Sequence, residues 1–215
     1  MTWLQNQLAF FRQFRQRFET TGSVLPSSRS LARSMTRFLA RRDRSQPVRV
    51  LEIGPGTGPV TDEIVKLLGP QDAFDLVELN EEFVRILNDR FATEPNWKAV
   101  RDQSRIHQLP LQEFTSAEPY DFAISGLPLN NFSTGLVQEL TGCYLRLLKP
   151  GGRLSYFEYM FVRPIRKRVT RGDDRIRIVE IDRIMQAMCD EHRIKRDSVF
   201  LNVPPAWVQH LRIKT

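Results

Sequence analysis

A short β-branched run that breaks into a glycine turn and restarts as a helix leaves few folds open to this chain. Val48-Arg49-Val50-Leu51-Glu52-Ile53 reads as a strand. It runs into Gly54-Pro55-Gly56-Thr57-Gly58, and Pro59 opens a helix predicted over Val60–Leu68. Strand, glycine turn and helix begin an α/β nucleotide-binding unit, because glycines let a backbone turn with positive φ and approach a ligand closely. Phe74–Leu79 is the next strand, and it carries Glu78, 20 residues after Gly58. An acid at the tip of a second strand can accept both hydroxyls of a ribose and repels a 2′-phosphate. The spacing G-x-G-x-G, with Glu52 two residues before Gly54, departs from the dinucleotide fingerprint. No Gly-Lys-Ser/Thr follows the turn, which excludes a P-loop.

The remaining pattern continues the alternation. Helices are predicted at Leu31–Arg42, Glu81–Phe91, Thr134–Leu148 and Ile176–Glu191. Strands are predicted at Arg105–Gln108, Asp121–Ser125, Gly152–Tyr159, Val199–Val203 and Trp207–Ile213. The last two, joined through Pro204-Pro205, suit an antiparallel hairpin. Thr21 to Ser30 is rich in Gly, Pro and Ser and reads as a loop, with Ser27 or Ser28 capping the next helix. Residues 1–47 form an N-terminal segment, and 48–215 form the main domain. No run of about 18 apolar residues exists to span a membrane. Two cysteines, Cys143 and Cys189, make neither a disulfide framework nor a thiolate cage. His107, His192 and His210 show no metal-ligand spacing, so no metal is expected.

The formal charge of +7 sits at one end. Residues 1–47 hold nine arginines against Glu19 and Asp43, whereas the rest balances 23 basic residues against 23 acidic ones. That asymmetry points to a polyanionic partner, a membrane surface or a nucleic acid, or else to a solvated basic face. Placed on a helix, Trp3, Leu4, Leu8, Phe10, Phe11, Phe14 and Phe18 fall within an arc of roughly 160°. Arg12, Arg15 and Arg17 lie around the remainder. Bulky aromatics opposite a basic polar side suit a helix lying in a membrane interface. The competing readings are a helix packed on its own domain and a mitochondrial presequence.

Leu51-Glu52-Ile53-Gly54-Pro55-Gly56-Thr57-Gly58 resembles the first motif of class I S-adenosylmethionine-dependent methyltransferases. Glu78 matches their ribose-binding acid, Asp121–Leu129 their fourth strand and following motif, and Leu148–Leu154 the turn into strand five. The resemblance implies seven mostly parallel strands with helices on both faces and an antiparallel C-terminal hairpin. It implies S-adenosylmethionine as cofactor, with S-adenosylhomocysteine as product. Glu52, Gly54, Pro55, Gly56, Thr57, Gly58, Glu78, Leu79, Gln108, Leu109, Ser125, Ser27 and Ser28 are the expected cofactor-side residues. Ser125, Gly126, Leu127 and Pro128 are expected to position the acceptor, and no residue declares itself as a base.

Two nitrogen-methylating families share these motifs. In rRNA adenine dimethyltransferases the motif after strand four is Asn-Leu-Pro-Tyr/Phe, whose aromatic stacks on a flipped base. Here Gly126 and Leu129 stand at the Asn and aromatic positions, so nucleic acid is not the expected partner. The chain is more similar to bacterial phospholipid N-methyltransferases, through Val24–Ala32 and through Ser125-Gly126-Leu127-Pro128-Leu129-Asn130-Asn131-Phe132. That likeness implies stepwise methylation of phosphatidylethanolamine to phosphatidylcholine by a cytoplasmic enzyme peripheral to the inner face of the cell membrane. Arg163, Arg166 and Lys167 are candidates to neutralise a lipid phosphate, and Tyr156 and Tyr159 to flank a methylated ammonium. A nucleic-acid methyltransferase and a non-catalytic membrane-binding module that kept the fold are the alternatives.

Overall fold

The computed structural model describes residues 28–160 and 172–214. The expected interfacial helix at 3–19, with Trp3, Phe11, Phe14 and its arginines, lies outside the described residues. So do Ser27, Arg163, Arg166 and Lys167.

Seven strands form one sheet in the order β3-β2-β1-β4-β5-β7-β6. They are β1 (Arg49–Ile53), β2 (Ala73–Val77), β3 (Ser104–His107), β4 (Tyr120–Ser125), β5 (Leu148–Tyr159), β6 (Arg193–Val199) and β7 (Ala206–Arg212). The first five are parallel, and β7 runs antiparallel to both β5 and β6. The helices are α1 (Arg29–Met35), α2 (Arg37–Ala40), α3 (Thr61–Ile64), α4 (Glu81–Thr93), α5 (Pro95–Lys98), α6 (Thr134–Leu147) and α7 (Asp173–His192). The doubly wound sheet with its closing hairpin is the architecture that the motifs imply.

Side chains alternate across each strand, so the sheet separates two cores. Leu51, Ile53, Ala123, Leu154 and Tyr156 face α6 and α7. Val50, Phe74, Phe122, Ile124 and Val208 face the other side, with Leu31, Met35 and Leu39 of α1–α2. Residues 29–40, assigned from sequence to the N-terminal segment, therefore share a core with the main domain. The predicted helix Leu31–Arg42 is interrupted at Thr36, whose hydroxyl donates to the Ala32 carbonyl at 2.9 Å. Such back-bonding bends helices.

The C-terminal hairpin corrects one expectation. The sixth strand is not Val199–Val203 but Arg193–Val199, RIKRDSV, a charged segment at the sheet edge. An edge strand hydrogen-bonds on one side only and needs no apolar alternation on an exposed face. Residues 200–203 form the turn instead. The helix after the glycine turn is also shorter than Val60–Leu68, since α3 ends at Ile64 and gives way to turns.

A polar chain ties this hairpin to the N-terminal helices. The Ser155 hydroxyl lies 2.8 Å from His210 Nδ1, and His210 Nε2 lies 3.2 Å from Asp197. Asp197 also accepts from the Ser34 hydroxyl and forms an ion pair with Arg37 at 2.5 Å. Burial drives the His210 pKa down to about 4 against the pull of Asp197. The ring is thus neutral at neutral pH. The arrangement puts its proton on Nε2 toward Asp197 and lets Nδ1 accept from Ser155. Replacing Asp197 by Ala strands a buried N–H and a guanidinium together. Asp197→Ala is expected to cost about 2 kcal/mol, the scale for an unsatisfied buried partner. Urea unfolding measures this, and an unchanged midpoint refutes the tie.

Candidate functional site

Strand order reverses at β1, which has β2 on one side and β4 on the other. Ligands of open parallel sheets bind in the crevice outside the strand ends at such a point. The crevice is made almost entirely of backbone. Gly54 donates its N–H to the Val77 carbonyl at 2.9 Å, and Gly126 donates to the Ile53 carbonyl at 2.8 Å. The loops after β1 and β4 touch there: a Cβ on Gly126 would come within 2.6 Å of the Gly54 carbonyl oxygen. Position 126 therefore admits no side chain on this backbone. Gly56, at φ +59°, has no neighbour within 4 Å of where a Cβ would stand, so this part of the loop faces open space.

Arg90 of α4 braces the loop from outside. Its guanidinium donates to the carbonyls of Thr57 at 2.8 Å and Gly58 at 3.2 Å, pairs with Asp62, and stacks on Trp97 at 4.2 Å from the ring centre. Trp97 Nε1 donates to the same Asp62 carboxylate at 2.8 Å. A Cβ on Gly58 would strike Trp97 at 2.5 Å, so the brace also requires glycine there. Sequence reading missed Arg90 and Trp97, because nothing in their spacing ties them to a loop 30 residues earlier.

Two buried carboxylates stand beneath the loop. Glu78, just past β2, accepts from the Gly56 N–H at 3.0 Å and the Asn80 N–H at 2.8 Å. A carboxylate has about four lone-pair positions, so capacity remains to accept from a ligand hydroxyl. Burial raises the pKa of Glu78, and the N–H groups of Asn80, Gly56 and Leu79 only partly offset it. Glu52 accepts from the Thr61 hydroxyl at 2.7 Å. Its pKa is pushed up to about 8 by burial, with smaller upward contributions from Glu78 and Asp62. Glu52 is therefore largely protonated at neutral pH and holds α3 against β1, while Glu78 is the carboxylate presented to the crevice. A ribose with free hydroxyls fits this donor set.

The remaining expected residues divide. Ser125 is fully buried, and its hydroxyl is 2.8 Å from the Tyr144 hydroxyl and accepts the Leu127 N–H at 3.4 Å. It shapes the loop from within rather than facing the crevice. Leu79 is half-buried after β2, Gln108 is exposed and Leu109 half-buried after β3, all at the crevice edge. Ser28 caps α1 by accepting the Leu31 N–H at 3.2 Å, and its own N–H donates to Asn202 at 3.0 Å.

Tyr156 and Tyr159, the candidates to flank a methylated ammonium, both border one cavity, though most of each ring packs elsewhere. Three residues apart on β5, they point to opposite sheet faces. Tyr156 packs in the core under α6 and α7, its hydroxyl 3.2 Å from Cys189 Sγ, while Tyr159 packs against Phe157 on the other face. Beyond the ends of β4 and β5, Pro128, Asn130, Asn131, Tyr156, Glu158 and Tyr159 line a cavity of about 40 Å³. Glu158 went unnoticed in the sequence, although period two from Tyr156 puts it on the same face at the strand end. Its carboxylate accepts from Gln209 Nε2 at 2.7 Å.

Glu78→Ala is expected to weaken S-adenosylmethionine binding about 10–100-fold, the cost of a lost charge-assisted bond. Wild-type affinity should also fall as pH drops through the raised Glu78 pKa, because a protonated carboxyl accepts fewer hydroxyl protons. Calorimetry tests both, and unchanged affinity removes Glu78 from the site. A second expectation concerns Glu52. The native state keeps a proton that the unfolded chain releases above about pH 4.5, so wild-type stability is lost as pH rises toward about 8. Glu52→Gln releases no proton, so its melting temperature should gain on wild type across that window. A constant difference between the two would refute the assignment.

A methyltransferase domain model matches residues 50–152. An ornithine lipid N-methyltransferase of Singulisphaera acidiphila is 30% identical over 151 residues, covering 70% of this chain and 77% of the relative. Ribosomal RNA small subunit methyltransferase A of Pseudomonas syringae pv. tomato is 30% identical over 139 residues, 62% of this chain but only 46% of that protein. Among solved structures, a glycopeptide N-methyltransferase complexed with sinefungin superposes with a TM-score of 0.65 at 14% identity, covering 89% of this chain and 88% of that one. An O-methyltransferase from Bacillus cereus in complex with S-adenosylhomocysteine gives 0.61 at 15% identity, covering 95% and 90%. With the reversal at β1, the glycine loop over Glu78 and the antiparallel β7 in place, the chain belongs to the class I S-adenosylmethionine-dependent methyltransferases.

Proposed function

We propose that this enzyme methylates the amine of a membrane lipid headgroup, with phosphatidylethanolamine and its mono- and dimethyl forms as the substrate class. The observation that carries this reading is the wall of the crevice after β4. Gly126 has no room for a side chain, and Leu129 is 4% exposed within the core under α6. At positions 126 and 129 a flipped base finds neither an amide to pair with nor a ring to stack on. Similarity to an ornithine lipid N-methyltransferase over 70% of the chain favours a lipid amine independently. The basic N-terminal segment suits an anionic bilayer, and among the described residues no helix is long and apolar enough to cross one. An enzyme peripheral on the inner face of the cell membrane is consistent with this.

Bound S-adenosylmethionine supplies a methyl group made electrophilic by a sulfonium. Glu78 would hold the ribose, and the Gly54–Gly58 backbone would lie along the remainder. Gly126, Leu127 and Pro128 line the path of the amine, their loop fixed from below by Ser125 and Tyr144. In-line transfer needs alignment and exclusion of water, with no covalent nucleophile. The amine must be neutral when it attacks. Glu158 beside Pro128 is the carboxylate suited to draw in the ammonium and take its proton.

Incubation with labelled cofactor and either phosphatidylethanolamine vesicles, ornithine lipid vesicles or RNA decides the acceptor. Label is expected in lipid, and label in RNA alone overturns the reading. Glu158→Gln should lower kcat/KM for the lipid by about 100-fold, the lower end for loss of a general base. Its cofactor affinity should be unchanged.

A further inference from the structure

Large apolar side chains on a protein surface are ordinary when scattered, but a cluster of them marks a contact. In the turn between β6 and β7, Phe200 is 70% exposed, Leu201 81% and Val203 59%. The third residue of the turn, Asn202, points inward. Its amide nitrogen donates to the Pro204 carbonyl at 2.7 Å, and its oxygen accepts the Ser28 N–H at 3.0 Å. A buried polar hub thus sets the shape of the turn, and the apolar side chains are held outward without helping to fold it.

Charge accompanies this tip. Through Asn202 the turn is joined to the start of α1, where Arg29 and Arg33 are exposed. Among the described residues, the Arg33 side chain pairs with Glu63 at 3.7 Å. A groove of about 420 Å³ runs between α1 and the turn, lined by Ser30, Arg33, Phe200 and Leu201 among others. Lys195 and Arg196 on the edge strand are exposed as well. Asp197, an acid lining the groove, is engaged by Arg37 and His210.

Position completes the case. β7 is antiparallel to β5, and Ala206 pairs with Tyr159. The turn before Ala206 therefore projects from the same sheet edge as the ends of β1 and β4, where the crevice opens. We propose that residues 200–203 are a membrane-docking tip, inserting Phe200 and Leu201 into an anionic bilayer while Arg29 and Arg33 meet lipid phosphates. The inference rests on the lipid-amine reading. It adds the surface that turns the crevice toward its substrate. Apolar wedges ringed by cations are matched to an anionic interface, where hydrophobic burial and charge act together.

The test uses the full chain. Wild type and the double variant Phe200→Ser, Leu201→Ser are sedimented with phosphatidylglycerol–phosphatidylethanolamine vesicles and with phosphatidylcholine vesicles. The variant should need about 10–100-fold more anionic lipid for half binding, with cofactor affinity and melting temperature unchanged because both side chains are solvent-exposed. Equal sedimentation together with an unshifted local probe overturns the proposal. Residues 3–19, expected from sequence to lie in a membrane interface, offer a second route to a vesicle, so a second reading is local. An environment-sensitive dye on Leu201→Cys should shift to the blue with anionic vesicles; Cys143 and Cys189 are buried. No shift overturns the proposal even where the protein sediments. Methylation of detergent-dispersed lipid without any vesicle binding by wild type overturns the tip and leaves the lipid reading standing. Vesicle docking through the tip without lipid methylation supports the tip and overturns the substrate. A dimer that dissociates in the double variant assigns the patch to a second copy and overturns the proposal.

Discussion

The backbones of the β1 and β4 loops meet at Gly54 and Gly126 with no atom to spare. The Gly126 N–H bonds to Ile53, and its missing Cβ leaves room for the Gly54 carbonyl. This contact closes the floor of the crevice and fixes where the two loops diverge. It also leaves position 126 without room for any side chain that could grip a ligand. The acceptor wall is therefore left to backbone, to Pro128 and to what the end of β5 brings up.

Below that contact, two carboxylates share one neighbourhood and behave differently because their partners differ. Glu52 meets a single hydroxyl and no N–H, so burial dominates and the proton stays. Glu78 is met by backbone N–H groups that favour its charge. One acid serves as a neutral strut between β1 and α3, and the other stays available at the crevice. The loop above them keeps its shape through Arg90 and Trp97, which pack it from the solvent side. The ligand thus meets a surface formed in advance, which lowers the ordering cost of binding.

The far side of the sheet is organised by polarity of another kind. Asp197 gathers Arg37, Ser34, Lys195 and His210, so the first helices and the last hairpin become one body. Asn202 extends the same coupling to the turn and to Ser28. Residues distant in the chain are thereby brought to the sheet edge where the crevice opens.

Local pattern carried much of this. The strand before Gly54, the turn itself and Glu78 were legible because a glycine turn and a strand-end acid are short-range features whose chemistry does not depend on distant neighbours. Helices α4 and α6 were legible from their apolar period, with ends displaced by only a residue or two. The edge strand β6 was not, because its hydrogen bonds come from β7 and its exposed face carries no alternation. The apolar run Phe200-Leu201 imitated a strand for the opposite reason: its side chains lie in solvent. Tertiary structure alone decided that Ser125 turns inward to Tyr144, that Glu158 comes beside Pro128, and that Asn202 holds a distant helix cap. Each of these depends on which residues the sheet order makes neighbours. Sequence spacing does not encode that order locally; it emerges only when both apolar faces of the sheet are buried at once.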